Sequence, residues 1–423
     1  MMKTLRIVHI NASPAGGAFV AAQRLSESLN KITGVNSVHL VYEGQSGDYL
    51  LWANSWMKRK IAFAKHALEK LDFLRFEKDK SIRFAFSHAP FGIDITKIPQ
   101  VQNADIIHLH WVNKGFLSLE GISALIKTNK TIVWTSHDMW PFTGGCYHPR
   151  GCENYAIGCG NCQYLKAPSE NDLSRIVFAK KHHIWGNGEI KFTLPSHWLY
   201  DRANLSGVID EHQKSKMRVI PNPIDVNYFR PATSNERAEA LDGFGLKSNI
   251  PTLMFSAANL ANHAKGFKEF KEICKLLKSQ GKEIQALVIG DSRSMELDLE
   301  VATVHLGFVS DLTILRKAYW SSSIYVTTSH EENLPTTIME SLACGIPVAA
   351  FAVGGIPEMI VENETGYLAE KLDFTNLANS ISKHLSLNEE SIKNICKNCN
   401  LFATEHYASD LVANQYLEFY LQK

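Results

Sequence analysis

Short apolar runs alternating with longer helical stretches predict an α/β protein built from two parallel-sheet domains. Three observations carry this expectation. The alternation begins at once, with an apolar run from Leu5 to Ile10. It breaks at Val219-Ile220-Pro221-Asn222-Pro223-Ile224-Asp225, where two prolines in three residues stop any helix and suit a connector. It then restarts and runs on through Pro347 to Phe351.

In the first half, Leu5 to Ile10 reads as a strand, the segment Asn11 to Gly17 as a turn, and Ala18 to Leu29 as a helix. Residues 105–110 and 131–135 read as buried strands, and residues 192–196 as the last strand of this half. In the second half, strands are expected over 252–257, 283–289, 323–328 and 347–351, with helices over 267–279 and 336–344. The tail from Tyr407 to Leu421 has helical spacing with aromatics at Tyr416, Phe419 and Tyr420. The expected division is a first domain over 1–218, a second over 219–400, and a terminal helix within 401–423 packing back toward the first. Ligands of such sheets bind outside the carboxyl ends of the strands, so two facing domains would place a small-molecule site in the cleft between them.

Composition narrows the function. Of 423 residues, 45% are hydrophobic and 21% charged, as in ordinary globular proteins. Lys and Arg number 44 against 43 acidic residues, a net charge of +1, which gives no reason to expect nucleic acid as a partner. No stretch approaches the ~18 uninterrupted apolar residues of a membrane span. The first residues lack the apolar core and cleavage site of a secretion signal, so a cytoplasmic location and reduced cysteines are expected.

The segment richest in chemistry runs from Ser329 to Val348. It follows a strand and opens a helix, with Pro335 suited to the first turn and Gly345 to the helix end. Backbone N–H groups of Leu334, Thr336 and Thr337 are placed to hold a phosphate at the helix N-terminus. Glu332 and Glu340 would then offer carboxylates to sugar and ribose hydroxyls. Two glutamates at that spacing alone describe a solvated helix face equally well. The whole string is more specific: Glu332-Asn333-Leu334-Pro335-Thr336-Thr337-Ile338-Met339-Glu340, then Ala343-Cys344-Gly345-Ile346-Pro347-Val348, then Val353-Gly354-Gly355-Ile356-Pro357-Glu358. It resembles the GT-B glycosyltransferases of the large retaining family often called family 4, whose second domain carries a Glu-x7-Glu motif. Leu306-Gly307-Phe308-Val309 resembles that family's base-binding turn, and Asn222 to Asp225 its interdomain linker, with Pro223 where the family has Gly. Lys265-Gly266 resembles the pair whose Lys binds the donor diphosphate. The Arg usual before that Lys is absent, since Ser256-Ala257-Ala258-Asn259-Leu260 stands there.

The resemblance extends to the first half. Gly16-Gly17 is similar to the family's glycine turn near the donor phosphates, where the lack of a side chain permits close approach. His137 stands where a family His contacts the donor sugar, and His108 and His110 are weaker candidates for the acceptor side. The block Trp52 to Lys80 mixes aromatics with Lys and Arg. It reads either as an interfacial helix in peripheral membrane contact or as a helix packed on its own domain. Cys146, Cys152, Cys159 and Cys162, spaced Cys-x5-Cys-x6-Cys-x2-Cys in a Gly-rich loop (142–165), suit a closed structural zinc site, with His148 as a substitute ligand. Disulfides and free thiols are the competing readings. A similar Cys-rich insert belongs to some bacterial polysaccharide glycosyltransferases of this family.

The resemblance thus implies retaining sugar transfer from a nucleotide sugar to a glycan or lipid-linked oligosaccharide acceptor, in surface polysaccharide synthesis. The expected location is cytoplasmic, with the inner face of the cytoplasmic membrane as the alternative if the Trp52–Lys80 block is interfacial. Glu332, His137 and Lys265 would be catalytic. Gly16, Gly17, Lys265, Phe308, Leu334, Thr336 and Glu340 would bind the donor. The sequence contains no Asp-x-Asp pair for a nucleotide-bound divalent ion, so leaving-group charge falls to Lys265 and helix-end amides. The alternatives are a nucleotide-sugar epimerase on the same scaffold and a non-catalytic binding protein.

Overall fold

Strands that are apolar along their whole length are stable in parallel sheets covered on both faces. The computed structural model, which describes residues 4–293 and 297–422, contains two such sheets. The chain divides into two units, Met1–Pro221 with Val412–Lys423, and Asn222–Leu411.

The first unit holds β1 (Leu5–Asn11), β2 (Val35–Val41), β3 (Leu50–Leu51), β4 (Ile106–Leu109), β5 (Thr131–Thr135), β6 (Ile190–Leu194) and β7 (Arg218–Val219). Their order is β3-β2-β1-β4-β5-β6-β7, parallel throughout. The second unit holds β8 (Thr252–Asn259), β9 (Gln285–Asp291), β10 (Ala302–His305), β11 (Ile324–Thr327), β12 (Val348–Phe351) and β13 (Gly366–Ala369), in the parallel order β10-β9-β8-β11-β12-β13.

The long apolar runs fall where the sequence puts them, with shifts of one or two residues. β6 begins at Ile190 rather than 192, and β9 at Gln285 rather than 283. β6 is not the last strand of its half, since Arg218–Val219 adds β7 beside it. β2, β10 and β13 were not anticipated. Their sequences, Val-Asn-Ser-Val-His-Leu-Val, Ala-Thr-Val-His and Gly-Tyr-Leu-Ala, are interrupted by polar residues or very short, and β10 and β13 lie at sheet edges.

The helix Glu389–Tyr407 belongs to the second unit, whereas Val412 onward belongs to the first. The helix Ser409–Leu421 places Val412, Ala413, Tyr416, Phe419 and Tyr420 in one apolar cluster with Ile7, Leu25, Leu29, Ile106 and Val133. Each large side chain buried there contributes about 1.5–3 kcal/mol. The tyrosine hydroxyls meet polar groups of the sheet interior: Tyr420 Oη lies 2.7 Å from His108 Nδ1, and Tyr416 Oη 2.8 Å from Thr135 Oγ1.

His9, His39, His108, His110 and His137 lie on or just beyond the strands β1, β2, β4 and β5. Burial is the first cause of a lowered pKa for each: to about 3 for His39, to about 4 for His137, and well below 6.5 for His9, His108 and His110. Neighbouring histidines add to the effect on His9, His108 and His110. These rings are neutral in the folded protein and take up protons near pH 6.5 once unfolded. Below that pH the unfolded state binds more protons, so stability is complete above about 6.5 and falls as the pH drops toward the folded values. Each histidine steepens the fall by up to about 1.4 kcal/mol per pH unit. Urea midpoints taken at successive pH values below 6.5 are expected to decline steeply; a flat profile down to the folded pKa of His137, about 4, would mean that the cluster is already charged in the native state.

Candidate functional site

An open parallel sheet offers a crevice where strand order reverses, because the loops leaving the two central strands run to opposite sides. In the second unit that point lies between β8 and β11. The loop after β8 forms the turn His263–Lys265, started by the Asn262 side chain, which accepts from Ala264 N at 3.1 Å. The loop after β11 runs from Thr328 to Pro335 and enters the helix Thr336–Ala343. The two loops are joined: Thr328 Oγ1 donates to Gly266 O at 2.7 Å, and His330 N donates to Ala264 O at 2.8 Å. Lys265 Nζ thereby reaches Glu332 Oε1 and donates to it as an ion pair.

Two further segments hold the Glu332 loop. Gly355 N donates to Glu332 O at 3.2 Å. Gly354 adopts φ 60°, and a Cβ there would fall 1.6 Å from Glu332 O, so the backbones meet at a distance no other residue allows. From the start of the unit, Asn222 Nδ2 donates to Leu334 O at 3.3 Å. The glycine pair after β12 and the connector asparagine therefore act on the same eight-residue loop.

Glu340 lies deeper and is buried; Tyr319 Oη donates to its Oε2 at 3.0 Å. Burial, and then the Glu340 carboxylate, raise the Tyr319 phenol well above 10, so it remains a donor. Tyr325, on β11, is pushed up to about 12 mainly by burial and shares a hydrogen bond with Ser256 Oγ at 3.0 Å. His330 Nε2 stands 3.1 Å from Glu269 Oε1, and its ring meets that of His263 edge-on at 4.9 Å. Pro335 is the N-cap residue, not part of the first turn, and the turn that begins at Thr336 presents backbone N–H groups that have no acceptor within the helix. Phe308 is largely exposed on the turn that follows β10. Gly307 takes φ 67° there and accepts from Gly290 N at 2.8 Å.

Lys265, Glu332, Leu334 and Thr336 thus gather around one reversal point, with Glu340 behind them and Phe308 on a separate turn. The arrangement can place a fixed cation, a carboxylate and helix-end amides around a phosphorylated, hydroxyl-rich ligand.

Gly16, Gly17, His137 and the cysteines belong to the first unit. Gly16 takes φ 87° as N-cap of the helix Gly17–Leu29, and no atom lies within 4 Å of where a Cβ on either glycine would sit. His137, just past β5, has Nε2 3.2 Å from His110 Nδ1, and His110 Nε2 lies 3.0 Å from His9 Nδ1. Among the described residues, His9, His108 and His110 bring their ring nitrogens within 4.8 Å of one another. Both nitrogens of His108 are already engaged, by Tyr420 and by Thr135 Oγ1 at 2.7 Å, so a metal there would have to displace them. The group reads as a packed chain of neutral rings. His9 escaped the sequence reading because it looks like one more strand residue; only its pairing between β2 and β4 brings it to the others.

Cys146, Cys152, Cys159 and Cys162 are free thiols lining one cavity together with Phe86, Tyr155 and Tyr164. Gly144 N donates to Cys159 Sγ at 3.2 Å, and Cys162 N to Asp172 Oδ2 at 2.8 Å. Lys181 is fully buried beside the loop and donates to Thr143 O at 3.0 Å and to Trp140 O; burial lowers its pKa to about 7. Burial holds the Cys159 thiol up at about 12 and Cys162 at about 11, so both are protonated when metal-free.

Known proteins resemble this chain in sequence and in fold. Residues 243–400 match the family model described as "Glycosyl transferases group 1". WcaC of Escherichia coli (strain K12), whose name assigns it to colanic acid biosynthesis, is 25% identical over 271 residues, 60% of either chain. The N-acetyl-alpha-D-glucosaminyl L-malate synthase of Bacillus anthracis is 27% identical over 350 residues, 79% of this chain and 80% of the synthase. The crystal structure of Anabaena HepE in complex with UDP-glucose superposes with a TM-score of 0.65 at 14% identity, covering 98% of both chains. The protein therefore has the GT-B fold and carries a glycosyl transferases group 1 domain over residues 243–400.

Proposed function

We propose that the protein transfers a sugar from a nucleotide-sugar donor to a glycan or lipid-linked oligosaccharide acceptor, with retention of configuration, in the synthesis of a surface polysaccharide. The observation that carries this reading is the Lys265–Glu332 pair at the reversal point of the second sheet, within the matched domain. The UDP-glucose held by HepE and the polysaccharide named for WcaC support the donor class and the pathway class.

In this reading Glu332 accepts hydrogen bonds from hydroxyls of the transferred sugar, and Lys265 faces the diphosphate. As the sugar–oxygen bond breaks, charge develops on the nucleoside diphosphate. Lys265 and the amides of Leu334 and Thr336 stabilise it without reorganising. Glu340 serves the ribose, positioned by Tyr319, and Phe308 the base. From the first unit, Gly16 and Gly17 are assigned to the donor phosphates and His137 to the sugar. The reaction proceeds from the face of the leaving group, and no protein carboxylate becomes glycosylated.

A thermal-shift screen of nucleotide sugars against free nucleotides identifies the donor, and transfer to an acceptor is then followed by product NMR. Glu332→Ala and Lys265→Ala are expected to lower transfer by at least about a hundredfold, the loss typical of removing one stabilising group, while the fold is kept. Glu340→Ala is expected to weaken nucleotide binding more than it slows transfer. Near-normal activity in both Glu332→Ala and Lys265→Ala would displace the site. An inverted product would overturn the stereochemistry, and an absolute requirement for added Mg2+ or Mn2+ the metal-independent mechanism. Epimerisation of the donor without acceptor would favour the alternative enzyme.

The cysteine loop is assigned a structural zinc held by Cys146, Cys152, Cys159 and Cys162. Their shared cavity and the N–H donated to Cys159 Sγ support a thiolate cluster that draws together around the metal. Elemental analysis of chelator-free protein is expected to give about one zinc per chain. Metal-free protein whose four thiols alkylate readily would exclude the site.

A further inference from the structure

The helix Trp56–Leu74 carries its apolar residues on the wrong side for a helix that serves only its own domain. Its inner face is firmly seated. Ala62, Glu69 and Phe73 are buried, Phe73 stacks on Phe86 at 5.1 Å, and Glu69 accepts from Ser87 Oγ and Gly115 N. At 3.6 residues per turn, the opposite face presents Met57, Lys60, Ala64, Leu68 and Leu71. Trp56, Phe63 and Leu71 are 67%, 74% and 61% exposed, and Ile61, Leu68 and Leu74 are exposed beside them. Isolated exposed apolar residues are ordinary, but a continuous stripe along 19 residues is a contact surface.

Charge identifies what it contacts. Lys58 and Lys65 border the stripe on one side, Arg59 and Lys70 on the other, and Lys60 lies within it above the Trp56 ring at 4.7 Å. The two acids of the helix are withdrawn: Glu69 is buried, and Asp72 pairs with Arg75 and His88. Phe84 extends the apolar surface beneath Lys70, whose Nζ lies 4.6 Å from its ring. Apolar residues outward with cations along both borders match the boundary between acyl chains and anionic headgroups, where long basic side chains reach the phosphates while their stems stay in contact with the apolar layer. None of the described helices is long and apolar enough to cross a membrane, so such contact lies in the plane of the surface.

We infer that the Trp56–Leu74 helix binds the protein to an anionic lipid bilayer, its Trp56–Leu74 stripe inserted and Lys58, Arg59, Lys65 and Lys70 on the headgroups. The binding is separate from sugar transfer and is read without donor or acceptor. In co-sedimentation with vesicles, the full chain is expected to partition onto phosphatidylcholine–phosphatidylglycerol mixtures and far less onto phosphatidylcholine alone, with binding that weakens as salt is added. The double variant Phe63→Asp/Leu71→Asp changes two exposed side chains. It is expected to keep the wild-type circular dichroism and melting temperature and to bind at least about tenfold more weakly. Lys58→Glu/Lys65→Glu is expected to lose the preference for phosphatidylglycerol. Three results would overturn the inference: wild-type protein that stays in solution with both vesicle types, a Phe63→Asp/Leu71→Asp variant that binds as well as wild type, or wild-type dimers without vesicle binding that the same variant abolishes, which would assign the stripe to a second copy of the chain.

Discussion

A parallel sheet covered on both faces leaves its strands almost no place for an unpaired polar group, because burying one without a partner costs about 1–3 kcal/mol. Most of the chemistry of the two units follows from this constraint, although His9 Nε2 and Asn11 Oδ1 on β1 and His39 Nε2 on β2 are buried without a hydrogen-bond partner. Polar groups are pushed to the carboxyl ends of the strands, where loops can satisfy them. The Lys265–Glu332 pair sits at such an end, between the two strands where the order of the second sheet reverses. Where polar side chains do enter the strands, as with His108, Thr135 and Thr193, each meets another: Thr135 Oγ1 lies 2.7 Å from Thr193 Oγ1 and from His108 Nε2.

The same constraint explains the density of contacts on the loop that bears Glu332. A carboxylate beside a lysine is useful only if both are held, since long exposed side chains lose their pairing to solvent and entropy. Here Gly354 brings a neighbouring backbone against Glu332, Gly355 donates to it, Asn222 reaches Leu334, and the Lys265 loop is bonded to Thr328 and His330. Glu332 is less exposed than its partner lysine, 16% against 38%.

Much of this was legible in the sequence, for identifiable reasons. Long apolar runs such as Thr252 to Ala257 mark central strands without ambiguity, and the string from Glu332 to Val348 is specific enough to locate the loop and its helix. Lys265 could be picked out by its glycine neighbour. What the sequence did not disclose depends on pairing across the sheet. His9 joins His110 because β1 lies beside β4, although 101 residues separate them. Tyr319 reaches Glu340 from another helix, and Gly354 looks like any turn glycine until the Glu332 carbonyl is found against it. The edge strands β10 and β13 were missed because Thr303 and His305 break the apolar run of β10 and Gly366 opens β13, whereas the equally short β11 and β12 carry the apolar run that marks a strand.

The path of the chain has a consequence for synthesis on the ribosome. The first sheet is begun at Leu5, but the cluster covering Ile7, Ile106 and Val133 includes Val412, Ala413, Tyr416, Phe419 and Tyr420, and the hydroxyl partners of His108 and Thr135 come from the same helix. All of Asn222–Leu411 must be translated before those residues emerge. At about 5–20 residues per second, the nascent first unit waits roughly ten seconds or more with part of one face of its sheet uncovered. The unit that is made first is the last to be completed.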